Sequence, residues 1–334
     1  MPEKTPKING TRIVAIGGGT GLATLLSGLK AYVGKNGDGL PEIDSLSAIV
    51  AVTDDGGSSG RLRDEMQMPP PGDIRNCMVA LSEDEMLLSQ LFQHRFSGEG
   101  PLSGHNFGNL FLAALSEMTG DFAEAVRLSS EILSSKGRIY PASVSDVRIA
   151  AKLKNGTTVH GETSVAKIGP QIDRLYLEPK DCKPHPEAIS AIQAADLITV
   201  GPGSLYTSLL PPLLVSGIEK AVSESKATKI FICNLMTQPG ETDGLSARRH
   251  LEIVRDYLHD LFFDFIVVNS RSITDEQTAK YHLEGAVQIG VHGSVEGTSI
   301  GETAILHQDI LAAGELVRHD PAKLAKLVIE AVRG

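Results

Sequence analysis

The residues best suited to chemistry sit in short polar loops, each directly after an apolar, β-branched run. After residues 12–16 (RIVAI) comes Gly17-Gly18-Gly19-Thr20-Gly21, and after 46–52 (LSAIVAV) comes Thr53-Asp54-Asp55-Gly56-Gly57-Ser58-Ser59-Gly60-Arg61. Residues 197–200 (LITV) lead into Gly201-Pro202-Gly203-Ser204-Leu205-Tyr206, and 229–233 (KIFIC) into Asn234-Leu235-Met236-Thr237-Gln238-Pro239-Gly240-Glu241-Thr242. The fifth run, 263–268 (FDFIVV), is followed by Asn269-Ser270-Arg271-Ser272. Small residues that open a helix leave backbone N–H groups free at its positive end, which suits a phosphate or pyrophosphate. The glycines of residues 17–21 also suit a plain tight turn, and phosphate binding is the favoured of the two uses. On that reading valine at Gly19 blocks the phosphates with little loss of fold.

Other chemistries find no support in the spacing. A dinucleotide fingerprint starting at Gly17 needs glycine at position 22 and meets Leu22, and no G-K-[ST] follows to make a Walker loop. There is no G-x-S-x-G elbow and no H-E-x-x-H pair, and Cys77, Cys182 and Cys233 sit singly in apolar runs. Asp54 and Asp55 bring negative charge toward an anion site, which is unfavourable unless they meet a sugar hydroxyl, a base amine or a divalent cation. Capping a helix is their plainer use. Arg61, Arg63 and Arg75 stand close enough in sequence to pair with these aspartates or a phosphate, or to face water. His105, Asn106 and Asn109 lie at the mouth of a strong helical pattern, where a lone histidine is more often a capping or solvated residue than a catalyst.

The elements that must position these loops alternate along the chain. The five runs are apolar on both faces and read as buried parallel strands, with helices predicted over 21–32, 121–136, 186–195 and 242–259, the last capped by Thr242 or Asp243. The expected fold is α/β, a Rossmann-like, three-layer, doubly wound and mostly parallel sheet, whose ligands bind beyond the carboxyl ends of the strands. Two departures are expected: a helical insertion over about 61–136, and an antiparallel hairpin over 147–167 about Asn155-Gly156, attached to the main sheet. No linker forces a boundary, so residues 1–334 read as a single domain.

Composition agrees. The 334 residues are 41% apolar and 22% charged, with 4% aromatics and no tryptophan, which excludes disordered and collagen-like classes and implies an aliphatic core. With 31 Lys and Arg against 41 Asp and Glu, the net charge of −10 disfavours nucleic-acid binding. Three scattered cysteines point to a reducing compartment, the first ten residues lack the apolar run of a signal peptide, and Gly201, Pro202, Gly203, Pro211 and Pro212 interrupt the uncharged stretch 197–218. A cytoplasmic protein without membrane insertion is expected.

Six segments in register then point to a family: GGGTGLATLLSGLK, VTDDGGSSGRLR, PPGDIRN, GHNFGNLFLAAL, GPGSLYTSLLP and NLMTQPGET. Together they resemble the gluconeogenesis factor family, the YvcK branch of the CofD-like superfamily, over about residues 12–300. The resemblance implies a Rossmann-like fold and binding of a nucleotide sugar, UDP-N-acetylglucosamine in particular. It also implies a regulatory role that links gluconeogenic carbon metabolism to cell-wall synthesis and cell shape. The sister branch, 2-phospho-L-lactate transferase, is a magnesium-dependent dimer that uses a nucleotide-activated donor. That is the alternative function, with Asp54 and Asp55 as its metal ligands, and it makes a homodimer the expected state. By the resemblance, Gly17, Gly18, Gly19, Thr20, Gly21, Asp54, Asp55, Gly56, Asn109, Gly201, Gly203, Ser204, Tyr206, Asn234, Thr237 and Gln238 line one ligand cleft. No catalytic residue is implied, and a binding protein is favoured over an enzyme.

Overall fold

The computed structural model describes residues 10–34, 42–83, 87–258, 260–290 and 298–332; residues 1–9, and His259 at the end of the fourth predicted helix, lie outside them. The strands are β1 (Thr11–Gly17), β2 (Ile43–Val50), β3 (Arg138–Pro141), β4 (Arg148–Leu153), β5 (Thr158–His160), β6 (Ile172–Glu178), β7 (Leu197–Val200), β8 (Thr228–Ile232), β9 (Phe265–Asn269), β10 (Ser299–Ile300) and β11 (Thr303–Gln308).

β1 is buried on both faces: Ile13 and Ala15 pack into one hydrophobic layer, Val14 and Ile16 into the other. Such a strand belongs in the interior of a sheet covered on both sides. The main sheet runs β10-β11-β9-β8-β7-β1-β2-β3, parallel throughout except for β10. From β1 the chain winds outward through β2 to β3, then returns beside β1 as β7 and winds the other way. The order therefore reverses between β1 and β7, which places the crevice of a doubly wound sheet at their carboxyl ends.

Helices Gly19–Leu29, Gly72–Leu81, Phe107–Thr119, Phe122–Ile132 and Pro321–Glu330 cover one face, and Pro186–Ala194, Leu210–Leu214, Ile218–Glu224 and Ala247–Tyr257 the other. Leu22, Leu25, Leu26 and Leu29 of the first helix are fully buried, each contributing about 1.5–3 kcal/mol. Its Gly28 lies so close to the helix Pro321–Glu330 that a Cβ there would sit 2.0 Å from the Pro321 carbonyl oxygen. This wedge fixes the helix whose N-terminus enters the crevice. Among the described residues, five helices separate β2 from β3, the first being Gly57–Met66 and the third Leu87–Gln93.

Three sequence expectations need correction. The hairpin does turn about Asn155-Gly156, but β4 and β5 join β6 in a separate three-stranded antiparallel sheet. The apolar face of β4, Ile149, Ala151 and Leu153, packs into the second layer, so the ribbon meets the main sheet through side chains rather than an edge. After His160 the chain turns into the short helix Glu162–Val165 instead of continuing as strand. The helix expected from 242 starts at Ala247, capped by Ser246, whose side chain accepts the Arg249 N–H at 3.2 Å. Thr242 and Asp243 instead fold the preceding turn, accepting the N–H groups of Gln238 at 2.9 Å and Gly240 at 2.8 Å. Among the described residues no helix is long and apolar enough to cross a membrane.

Candidate functional site

Helix Gly19–Leu29 starts in the crevice with neither a side-chain cap nor an acidic residue in its first turn; its N-cap is Gly18. First-turn amides lack partners inside a helix, so here they face the cleft as donors for an anion. The Asp73 carboxylate stands beside them, so close that a Cβ on Gly18 would lie 2.5 Å from its Oδ2. Gly21 explains the close approach of the next loop: a Cβ there would lie 2.4 Å from the Pro202 carbonyl oxygen. Gly19 has φ of +65°, a region that a β-branched residue enters only with strain, so valine there costs stability as well as ligand. That corrects the expectation of an undisturbed fold.

The facing wall comes from the loops after β7 and β8. The Asn234 Nδ2 donates to the Gly203 carbonyl at 2.8 Å, and the Gly203 N–H donates to the Asn234 Oδ1 at 3.1 Å. The Gln238 Nε2 donates to the Ser204 Oγ at 2.7 Å. Ser204 leads into a π-helical turn, Leu205–Leu209, whose Tyr206 N–H donates to the Glu241 Oε1 at 2.9 Å. Glu241 is only 3% exposed, and burial pushes its carboxyl up to about 7, against the pull of amide donors from Tyr206 and Thr207 and the Ser204 side chain.

Between these walls lies a cleft of about 410 Å³. Of the residues expected to bind the ligand, Gly18, Gly19, Thr20, Gly21, Gly203, Ser204, Asn234 and Gln238 line it. Gly17 and Gly201, also expected there, are not among the lining residues and are taken up in backbone pairing at the strand ends: the Ala51 N–H donates to the Gly17 carbonyl and the Gly201 N–H to the Ile16 carbonyl, at 2.8 and 3.0 Å. A larger hollow of about 670 Å³, between helix Phe122–Ile132 and the start of β3, lies away from the strands' carboxyl ends.

The remaining expected residues lie off the cleft lining. Tyr206 faces a second hollow beside Leu245 and Arg249, and Thr237 pairs with the Val287 backbone at 2.8 Å in both directions. Asn109 is buried between helices, donating to the Ser58 Oγ at 3.2 Å and accepting from the Arg75 guanidinium at 3.1 Å. Asp54 folds onto its own loop, accepting the Gly56 N–H at 2.8 Å. Asp55 anchors the helix Glu162–Val165, accepting the N–H groups of Glu162 at 2.7 Å and Thr163 at 3.0 Å and the Thr163 hydroxyl at 2.7 Å. The two carboxylates therefore turn to different partners, and among the described residues no group of three or more His, Cys, Asp or Glu is arranged to hold a metal ion. The arginines are used structurally: Arg63 pairs with Asp146, and Arg61 donates to the Ser103 carbonyl at 2.9 Å.

The cleft also holds residues that sequence reasoning did not assign, namely Asp73, Glu162, Thr207, Ser208, Arg318 and His319. Burial raises the Asp73 carboxyl to about 6, helped by Asp54, and lifts Glu162 well above the ordinary carboxylate range, helped by Asp54 and Asp73. Burial pulls the His319 ring down to about 4, so it is neutral at pH 7, and its buried Nε2 has no hydrogen-bond partner among the described residues.

Strand order, crevice and uncapped helix N-terminus define a doubly wound α/β protein of the nucleotide-binding architecture. The family model of 2-phospho-L-lactate transferase CofD matches residues 13–311. The gluconeogenesis factor of Halalkalibacterium halodurans is 45% identical over 318 residues, covering 95% of each chain; that of Bacillus subtilis is 43% identical over 322 residues, covering 96% of this chain and 98% of the other. A crystal structure of a Bacillus halodurans protein superposes with a TM-score of 0.88 at 43% identity, covering 98% of this chain and all of that one. The chain belongs to the CofD family, among the gluconeogenesis factors.

Proposed function

We propose that this chain is a cytoplasmic regulatory protein that binds a nucleotide sugar, UDP-N-acetylglucosamine or a close analogue, and thereby links gluconeogenic carbon metabolism to cell-wall synthesis and cell shape. The observation that carries the reading is the meeting of the uncapped first-turn amides of helix Gly19–Leu29 with the Gly203-Ser204 loop across the β1/β7 reversal. A pyrophosphate fits the amides, and a base or sugar then extends toward Asn234 and Gln238 on one side and toward Arg318 and His319 on another. Inorganic phosphate engages only part of such a site. The relatives' name, gluconeogenesis factor, supports the metabolic half of the reading. The acidic net charge argues against nucleic acid as a partner. A homodimer rests on likeness to the transferase branch alone. Calorimetry with UDP-N-acetylglucosamine, UMP, phosphate and GDP, with and without magnesium, tests the binding reading.

A second reading, favoured by the name of the matching family model, is a magnesium-dependent transferase of the 2-phospho-L-lactate type. Transfer between two bound substrates can run on positioning and electrostatics without a protein nucleophile. The carboxylates present do not fit a resident magnesium ion: Asp54 is turned onto Gly56, Asp55 accepts three donors, and among the described residues no group of three or more His, Cys, Asp or Glu is arranged to hold a metal ion. No step is therefore assigned to the metal. Binding without turnover favours the regulatory reading.

A further inference from the structure

The turn that carries Ser204 into the cleft carries Tyr206 away from it, into a separate hollow of about 410 Å³. This hollow lies between the start of β6, the loop after β8 and the helix Ala247–Tyr257. Tyr206 is only 7% exposed, and its hydroxyl, unpartnered among the described residues, is not sealed in the core but opens onto the hollow. A buried phenol ordinarily finds a partner. That of Tyr257, at the end of the neighbouring helix, does so by accepting the Leu175 N–H at 2.6 Å. Burial pushes the Tyr206 phenol up to about 12, so it keeps its proton and is a donor at physiological pH.

The rest of the lining supplies a matched set. Arg249 meets Glu252 at 3.2 Å and Asp256 at 3.6 Å, both through Nη1, which leaves Nε and Nη2 of its fork for another acceptor. A guanidinium fork with a phenol suits a carboxylate. Acceptors are present too: Asp173 is exposed at the rim, and Asp243, whose Oδ2 takes the Gly240 N–H at 2.8 Å, keeps its Oδ1. Glu241 is turned onto the Tyr206 N–H at 2.9 Å. Lys154 and Arg249 stand against Asp173 and Asp243, so a lone anion meets repulsion as well as attraction, whereas a zwitterion pairs with both signs. Ile172, Leu245 and Ile253 give the hollow an apolar side. We propose that this hollow is a second binding site, for an α-amino acid with an apolar side chain. The carboxylate meets the Tyr206 hydroxyl and Arg249, the ammonium meets Asp173 or Asp243, and the side chain lies on the three aliphatic residues.

An occupant there is coupled to the cleft. Ser204 and Gln238, joined at 2.7 Å, line the cleft, while Tyr206 and Glu241, joined at 2.9 Å, line the hollow. Each of the two loops therefore reaches both sites, and ordering them from one side favours binding at the other, reciprocally. The site itself stands apart from the nucleotide-sugar reading; only this coupling rests on it.

Calorimetry on the full chain, first without nucleotide, tests the site with leucine, methionine and phenylalanine, each also as its deaminated acid and as its amide. At least one amino acid should bind saturably, and ~10-fold or more tightly than either of its truncated forms. Tyr206→Phe and Arg249→Gln should each weaken that binding ~10-fold or more, with the melting temperature of Tyr206→Phe within ~2 °C of the parent because no protein partner is lost. Binding of none of the three, equal binding of a truncated form, or an affinity that either variant leaves unchanged overturns the proposal. The amino acid that binds should then tighten UDP-N-acetylglucosamine binding, and an unchanged affinity overturns the coupling. If the amino acid binds as expected and the uridine ligand does not bind at all, the nucleotide-sugar reading fails and the second site stands.

Discussion

Asn234 holds the Gly203 backbone by both of its polar groups, donating to the carbonyl at 2.8 Å and accepting the N–H at 3.1 Å. β7 and β8 have already ended, so this side chain continues the pairing of neighbouring strands into their loops. Together with the Gln238–Ser204 bond, it turns two separate polar loops into one wall of the cleft.

Asn234→Ala removes both bonds and leaves the Gly203 groups without their protein partner. We expect a stability loss of about 1–3 kcal/mol in urea unfolding and a fall in UDP-N-acetylglucosamine affinity of ~10-fold or more. An unchanged affinity with reduced stability would restrict Asn234 to holding the loop.

Gly21→Ala and Gly19→Ala separate packing from backbone conformation. At Gly21 the added carbon meets the Pro202 backbone at 2.4 Å, so the loops must part and stability should fall by about 1–3 kcal/mol. At Gly19 the nearest atom is the Ser208 Oγ at 3.7 Å, and only the positive φ is penalised, by roughly 1–2 kcal/mol. Thermal unfolding of the two variants should rank them in that order.

Glu241 makes stability depend on pH in a known direction. Its folded carboxyl titrates near 7 and its unfolded one near 4.5, so the folded state keeps a proton that the unfolded state has lost. The stability it contributes is complete below about 4.5, is lost as pH rises to about 7, and does not change further above that. Glu241→Gln keeps an acceptor for the Tyr206 N–H without this loss. The variant should gain on the parent, by up to about 3 kcal/mol, between acid and pH 8 in paired denaturation curves. Parallel curves at all pH values would contradict the buried, proton-holding carboxyl.

Asp55→Asn tests the placement of the second aspartate. Its carboxylate anchors Glu162 and Thr163, so the variant should lose about 1–2 kcal/mol of stability and keep UDP-N-acetylglucosamine affinity within ~2-fold of the parent, with or without magnesium. A magnesium-dependent loss of affinity would return Asp55 to the ligand.

The sheet was legible in the sequence where strands are buried on both faces. Residues 12–16 and 197–200 declare themselves as apolar runs, and their glycine loops mark the crevice that both strands open on. β3 is a four-residue edge strand and β10 has two residues, too short for a pattern to emerge. β11 carries half-buried and exposed side chains that break its apolar run, so the segment after it, which brings Arg318 and His319 to the cleft, had no strand to announce it. Asp73 read as part of a turn before a helix, because its place in the cleft is set beside the Gly18–Gly21 loop, far away in sequence. Asp55 looked like a ligand because its true partners, Glu162 and Thr163, lie on an element whose alternation read as strand.

The central claim is that the cleft between β1 and β7 takes a nucleotide sugar and returns it unaltered. Titrating the purified chain with UDP-N-acetylglucosamine in a calorimeter, followed by chromatography of the recovered ligand, tests it most directly. The account predicts saturable binding, stronger than that of UMP or phosphate, weakened ~10-fold or more by Asn234→Ala, with the ligand recovered intact. No binding, rapid turnover, or binding of a guanine nucleotide in place of any uridine ligand would contradict it.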